Sequence, residues 1–120
     1  MLSLEAVWML PVLALLVLGL LETAGVLRDV LLAHEAARAA ARTAATTSGD
    51  SAVISAAREA APELELRVDV SPTVRRDGDL AVVEVRAERR IGPVTHTIRA
   101  RAIARVEPAV GTTARRPAPP

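Results

Sequence analysis

One acidic residue stands inside an otherwise apolar opening segment: from Leu2 to Leu21 the only ionisable side chain is Glu5. A carboxylate in hydrocarbon costs on the order of 2.5 to 3.5 kcal/mol even on insertion-based scales, so Glu5 requires a counter-charge or water. The α-amino group of Met1, if it is a free terminus, has the right sign to neutralise it, within one helix or from a neighbouring copy. Alternatively Glu5 reaches the headgroup boundary and is solvated there. Other candidates for chemistry are sparse. His34 and His96 have no second His or carboxylate at ligand spacing, and the chain has no Cys, so both histidines read as structural. Asp77-Gly78-Asp79 carries two acids but lacks the ligand series of a calcium loop. No Ser/His/Asp set, Gly-rich phosphate loop or carboxylate pair can be assembled. The expectation is a protein that is not an enzyme and holds neither metal nor cofactor.

Charge and aromatic content narrow the partners. All 15 basic residues are Arg, and the 14 acidic residues interleaved with them leave a formal net charge of +1. No basic patch dominates, so nucleic acid is not an expected partner. Trp8 is the only aromatic residue, which removes stacking platforms and leaves any soluble core to Val, Ile, Leu and Ala.

The apolar run must be positioned by a helix. Residues 2–21 make ~30 Å of helix, about one hydrocarbon core, and the rest of the chain is too small to bury such a helix. A transmembrane segment over about 2–21 follows. A cleaved secretory signal would need a basic n-region and a shorter apolar stretch, whereas the first basic residue here is Arg28. A plain anchor leaves Glu5 unexplained.

Beyond Leu21 the pattern becomes periodic, with Val26, Val30, Ala33 and Ala37 on one stripe and Glu22, Asp29, Glu35, Arg38 and Arg42 elsewhere, so the helix is expected to continue to about Thr46. Ala33, Ala37, Ala41 and Ala45 recur every four residues and form a nearly side-chain-free face that another helix backbone can approach closely. Ala is also the best helix former, which accounts for the same residues without any partner. Pro11, Gly19 and Gly25 are expected bend points.

Thr46 to Asp50 reads as a break, with Gly49 suited to a helix C-cap and Asp50 or Ser51 to the N-cap of a short second helix through Ala61, ended by Pro62. Leu64, Leu66, Val68 and Val70 alternate with charged residues as a half-buried strand. After the Asp77-Gly78-Asp79 turn, a second strand from Leu80 places Ala81, Val83, Val85 and Ala87 on one face. Gly92-Pro93 makes the next turn, and a third strand from Val94 to Val106 puts His96, Ile98, Ala100, Ala102 and Ala104 inward and Thr97, Arg99, Arg101 and Arg105 outward. Connections this short give an antiparallel meander. Cross-strand ion pairs are expected between the outward Arg row and Glu84 and Glu88. The fold class is therefore α+β: a long N-terminal helix over 1–47, a small α+β domain over 48–108 with a short helix and three antiparallel strands, and a disordered Pro-rich tail over 109–120.

The opening Met1-Leu2-Ser3-Leu4-Glu5 followed by an apolar helix resembles the mature N-terminus of type IV pilins and pseudopilins, with their hydrophobic first residue and fifth-place glutamate. Ser3-Leu4-Glu5-Ala6, the Leu10-Pro11-Val12-Leu13 stretch and the Ala/Arg-rich continuation look like TadE-like minor pseudopilins of the tight-adherence type, and the β-rich C-terminal part extends the likeness. Ala6 stands where major tight-adherence pilins commonly have an aromatic residue, which argues for a minor subunit. The resemblance implies that Met1 is the residue left when a prepilin peptidase removes a basic leader ending in Gly; the other reading of Met1 is an initiator. It further implies a subunit held in the cell membrane with its C-terminal domain exported, then drawn into a filament by an assembly platform. Its partners would be other pilin subunits packing through the N-terminal helix, with Glu5 meeting the terminal amine of the adjacent subunit. The alternative is a monomeric signal-anchored protein whose small exported domain binds or scaffolds something else.

Overall fold

A computed structural model describes residues 3–108. The elements run α1 (Leu4–Thr46), α2 (Asp50–Ala60), β1 (Leu66–Ser71), β2 (Leu80–Ile91) and β3 (Val94–Arg105). The fold is α+β, with the three strands in the antiparallel order β1-β2-β3. Met1 and the tail over 109–120 lie outside the described residues.

α1 is continuous through all three expected bend points. Pro11 lies inside it and withholds one backbone donor. At Gly19 the carbonyl accepts an extra bond from Thr23 Oγ1 at 2.8 Å. Gly25 serves close approach instead: a Cβ built there would lie 2.6 Å from Arg89 Nη2.

The upper half of α1 carries the core. Ala33, Ala36, Ala37, Ala40, Ala41, Ala44 and Ala45 are all buried, and all of these but Ala45 join one cluster with Val53 and Ala57 of α2 and with Ala81, Val83, Val85 and Ala87 of β2. Small residues on the helix let both α2 and the sheet approach its backbone closely, while Val side chains from the sheet fill the space between. The alanine face is thus occupied by the chain's own α2 and sheet.

Leu66 pairs with Ala87 and Val70 with Val83, so the apolar parity of β1 matches that of β2. Leu64 precedes the strand, in a turn held by its N–H to the Ala61 carbonyl at 3.2 Å, yet its side chain packs on the core. β2 and β3 form a hairpin with Ile91 opposite Val94. Gly92 at φ +58 and the fixed negative φ of Pro93 give the two-residue turn a type II′ geometry. Gly78 at φ +87 lets the Asp77–Asp79 loop fold back, and the end of the sheet closes there: Gly78 N–H donates to Val106 O and Val106 N–H to Asp79 O. Glu107 N–H donates to Ala45 O at 2.9 Å, joining that end to α1.

Three local expectations change. Gly49 has φ −90 and precedes α2 as its N-cap, so it is not a left-handed C-cap; Thr47 ends α1 in extended conformation. Asp50 is the first residue of α2, and its carboxylate bonds Arg75 instead of capping the helix. His96 has inward parity and lines a shallow groove with Val26 and Val30 of α1, yet it is exposed; burial along β3 begins at Ile98.

Candidate functional site

Two surfaces stand out, and α1 joins them. The first is the lower half of the helix. Its most apolar window has a mean hydropathy of 2.3, none of it is covered by the rest of the chain, and it is long and apolar enough to cross a membrane. Leu4, Trp8, Met9 and Leu10 are all exposed. Glu5 is exposed among them, on a surface formed with Leu4, Trp8, Met9 and Val12, and makes no hydrogen bond or ion pair among the described residues. The expected pairing of Glu5 with Met1 involves a residue outside those described.

Apolar character does not stop at Leu21. Leu27 and Leu31 are each 60% exposed, on the side of α1 turned away from the buried alanines. They prolong an apolar strip along the helix past the length a bilayer covers. The chain itself leaves this strip uncovered.

The second surface is the junction where the apolar half of α1 meets the folded domain. Asp29 is only 9% exposed and is bonded by the guanidinium of Arg89, which reaches across from β2 and rests over the backbone of Gly25. The hydrogen bond to Asp29 raises the Arg89 pKa above its ordinary value, burial opposes that rise, and the charges of Asp29 and then Glu22 add to it. Nearby, Arg28 makes a forked bond to both carboxylate oxygens of Glu63 at 2.9 and 2.7 Å, joining α1 to the segment after α2. At the far end of the domain the Arg75 side chain is 1% exposed and donates to Asp50 Oδ1 at 2.7 Å and Thr47 O at 3.0 Å. Its Nε is buried with no partner. Arg75 thereby bridges the break between the two helices.

Asp29 corrects the assignment of the helix faces. Grouped from sequence with the polar positions, it lies on the buried stripe, one turn before Ala33. Arg89 likewise continues the inward series Ala81, Val83, Val85, Ala87 of β2. Each apolar series thus ends on a charge of opposite sign. That is the signal by which the pair is findable, and sequence reasoning missed it.

The outward sheet face differs in detail from expectation. Glu84 stands opposite Arg101 and Glu88 opposite Thr97. The Glu84 carboxylate accepts from Arg86 Nε on its own strand at 2.7 Å, and Arg86 also reaches Asp69 at 4.0 Å. The Arg86 hydrogen bond, followed by its charge, holds the Glu84 carboxyl below its ordinary value. His34 and His96 are both exposed, and no group of three or more His, Cys, Asp or Glu able to hold a metal occurs among the described residues.

Among the described residues no set of groups converges on a reacting atom. The arrangement offers a bare apolar rod, ionic ties fixing a small domain to that rod, and an uncovered leucine strip. No family model, curated protein or solved structure matches this chain.

Proposed function

We propose that the chain is a minor pilin-like subunit: α1 holds it in the cell membrane, with the C-terminal domain exported, and then packs with other subunits in a type IV-like filament of the tight-adherence kind. The observation that carries this reading is the division of α1. Its upper half is used up by the chain's own domain, while its lower half and the Leu27/Leu31 strip are left for an external apolar partner. A bilayer covers the first ~30 Å of that surface but not Leu31, some 15 Å beyond Leu21. A second helix of the same kind covers both.

In this reading Glu5 meets the terminal amine of the adjacent subunit as the helix leaves lipid, and the carboxylate's cost in hydrocarbon becomes a bias toward docking. Prepilin peptidase and an assembly platform are the implied partners. The second reading, a monomeric anchored protein with a binding or scaffolding domain, is favoured by a domain that completes its own core without another chain.

N-terminal analysis of protein from its native membrane tests the assignment. A terminus created at Met1 by removal of an upstream leader supports it; an uncleaved leader, or none encoded, sinks it. Glu5→Ala is expected to insert normally and fail to assemble. Normal assembly of that variant removes the role given to Glu5.

A further inference from the structure

The Gly92-Pro93 turn lies at the end of the domain nearest the apolar half of α1. Ile91, His96 and Ile98 line a shallow groove with Val26 and Val30, which sets the last residues of the hairpin level with the first turns of α1 beyond Leu21. Val26 stands ~7 Å along the helix from Leu21, and one further strand residue brings the turn ~3 Å closer. The headgroup layer on each side of a bilayer is ~5 to 7 Å deep. With residues 2–21 in hydrocarbon, the turn falls within that layer.

Its side chains suit the place. Ile91 is half-buried, and Val94 opposite it is 52% exposed at the outermost position of β3. Arg90 leans over the turn, with Nε to Gly92 O at 3.4 Å, and its two terminal nitrogens make no hydrogen bond among the described residues. Arg89 and Arg28 are already engaged by Asp29 and Glu63, so among the described residues Arg90 is the unengaged cation beside the turn, where it can meet a phosphate. The Arg89 bond to Asp29 over Gly25 also keeps the hairpin from swinging away from the helix.

We infer that the β2–β3 turn is a foot that stands on the bilayer, with Ile91 and Val94 in the interface and Arg90 on a lipid phosphate, so that the domain is seated on the membrane at a second point besides α1. This rests on the membrane reading of α1 and is tested separately from it. Such a foot suits a subunit waiting before assembly, because it fixes how the domain is turned relative to the bilayer.

The chain has no cysteine, so single substitutions place probes cleanly. The full chain is reconstituted in vesicles of equal phosphatidylglycerol and phosphatidylcholine, with Val94→Cys at the turn, Ser51→Cys at the far end of the domain and Leu13→Cys in the apolar helix. Moving a half-exposed apolar side chain at position 94 out of water corresponds to roughly fivefold protection, and a thiol there behaves as a small apolar group, so Val94→Cys is expected to react with a water-soluble maleimide about fivefold more slowly than in detergent. Ser51→Cys is expected to react equally in both. Adding Arg90→Glu to Val94→Cys is expected to restore most of the lost reactivity. Equal reactivity of Val94→Cys in vesicles and detergent, with Leu13→Cys protected, overturns the foot and leaves the membrane reading standing. Free reaction of Leu13→Cys overturns both.

Discussion

Replacing Ala40 by Leu tests whether the alanine face sets the spacing between α1 and what packs on it. Ala40 is fully buried, in the middle of the run from Ala33 to Ala45. Leu has nearly the same helix propensity as Ala, so the backbone of α1 has little reason to change. Three added carbons must instead be housed by moving α2 or the sheet outward, and overpacking of this kind costs about 1 to 3 kcal/mol. For a domain of this size each kcal/mol moves the Tm by about 4 to 8 °C, so a fall on the order of 10 °C is expected. Trp8 lies in the apolar half and does not report on the domain. The assay is therefore thermal unfolding of the full chain in detergent, followed by the circular dichroism of the sheet. Ala24→Leu makes the same change at an exposed position of the same helix and is expected to stay within about 0.5 kcal/mol of the parent. If Ala40→Leu melts no lower than Ala24→Leu, the face does not set the spacing.

Other outcomes follow from the ionic ties and the leucine strip. Arg75→Met keeps the volume but leaves Thr47 O and Asp50 without their donor, at an expected cost of about 1 to 3 kcal/mol; faster amide exchange in the first turn of α2 is the readout, and unchanged exchange counts against the bridge. Because Arg86 holds the Glu84 carboxyl below its ordinary value of 4.5, the contribution of that pair to stability is complete above pH 4.5 and is lost as pH falls through the lowered value. A carbon-detected titration of Glu84 should show its midpoint moving up in Arg86→Gln, and no movement refutes the cause assigned. Replacing Leu27 and Leu31 by Asn is expected to leave the folding stability within about 1 kcal/mol of the parent while abolishing filament incorporation in cells, since both side chains are exposed in the single chain. Incorporation at the parental level would show that the strip has no partner.

Most elements were legible because their periodicity was clean. The alternation from Leu64 to Val70 and from Ala81 to Ala87 requires strands, and Gly-Pro between two such runs requires a hairpin. Ala every fourth residue carries no polarity contrast, however, so which side of α1 is covered was legible only as far as the alanines went. Asp29 was misplaced for this reason: a charge next to a polar face looks polar until its partner, sixty residues away in sequence, is brought to it. His96 failed in the opposite way. Strand parity says which side of the sheet a residue faces but not how closely the helix packs on it: His96 lines an open groove beside Val26 and Val30 and stays exposed. Glu5 is the residue that sequence singles out most sharply, yet among the described residues it lies on an apolar surface and makes no polar contact, and the Met1 amine expected to meet it lies outside them.

An interface of alanines is nearly smooth. With side chains one carbon long repeating every four residues, α1 presents almost the same relief to α2 and the sheet after a shift of one step, ~6 Å along the axis. Interlocking shapes specify an alignment; this surface does not discriminate well between two of them. The alignment is left to the polar contacts at its extremities, Arg89 with Asp29 and Arg28 with Glu63 at one end, and Arg75 on Thr47 O, together with Glu107 N–H on Ala45 O, at the other. Those contacts are about 24 Å apart along the helix, from Asp29 to Ala45, and a displaced register breaks both sets at once. They act as detents on a sliding rail, and losing one of them should let the domain settle at more than one position along α1.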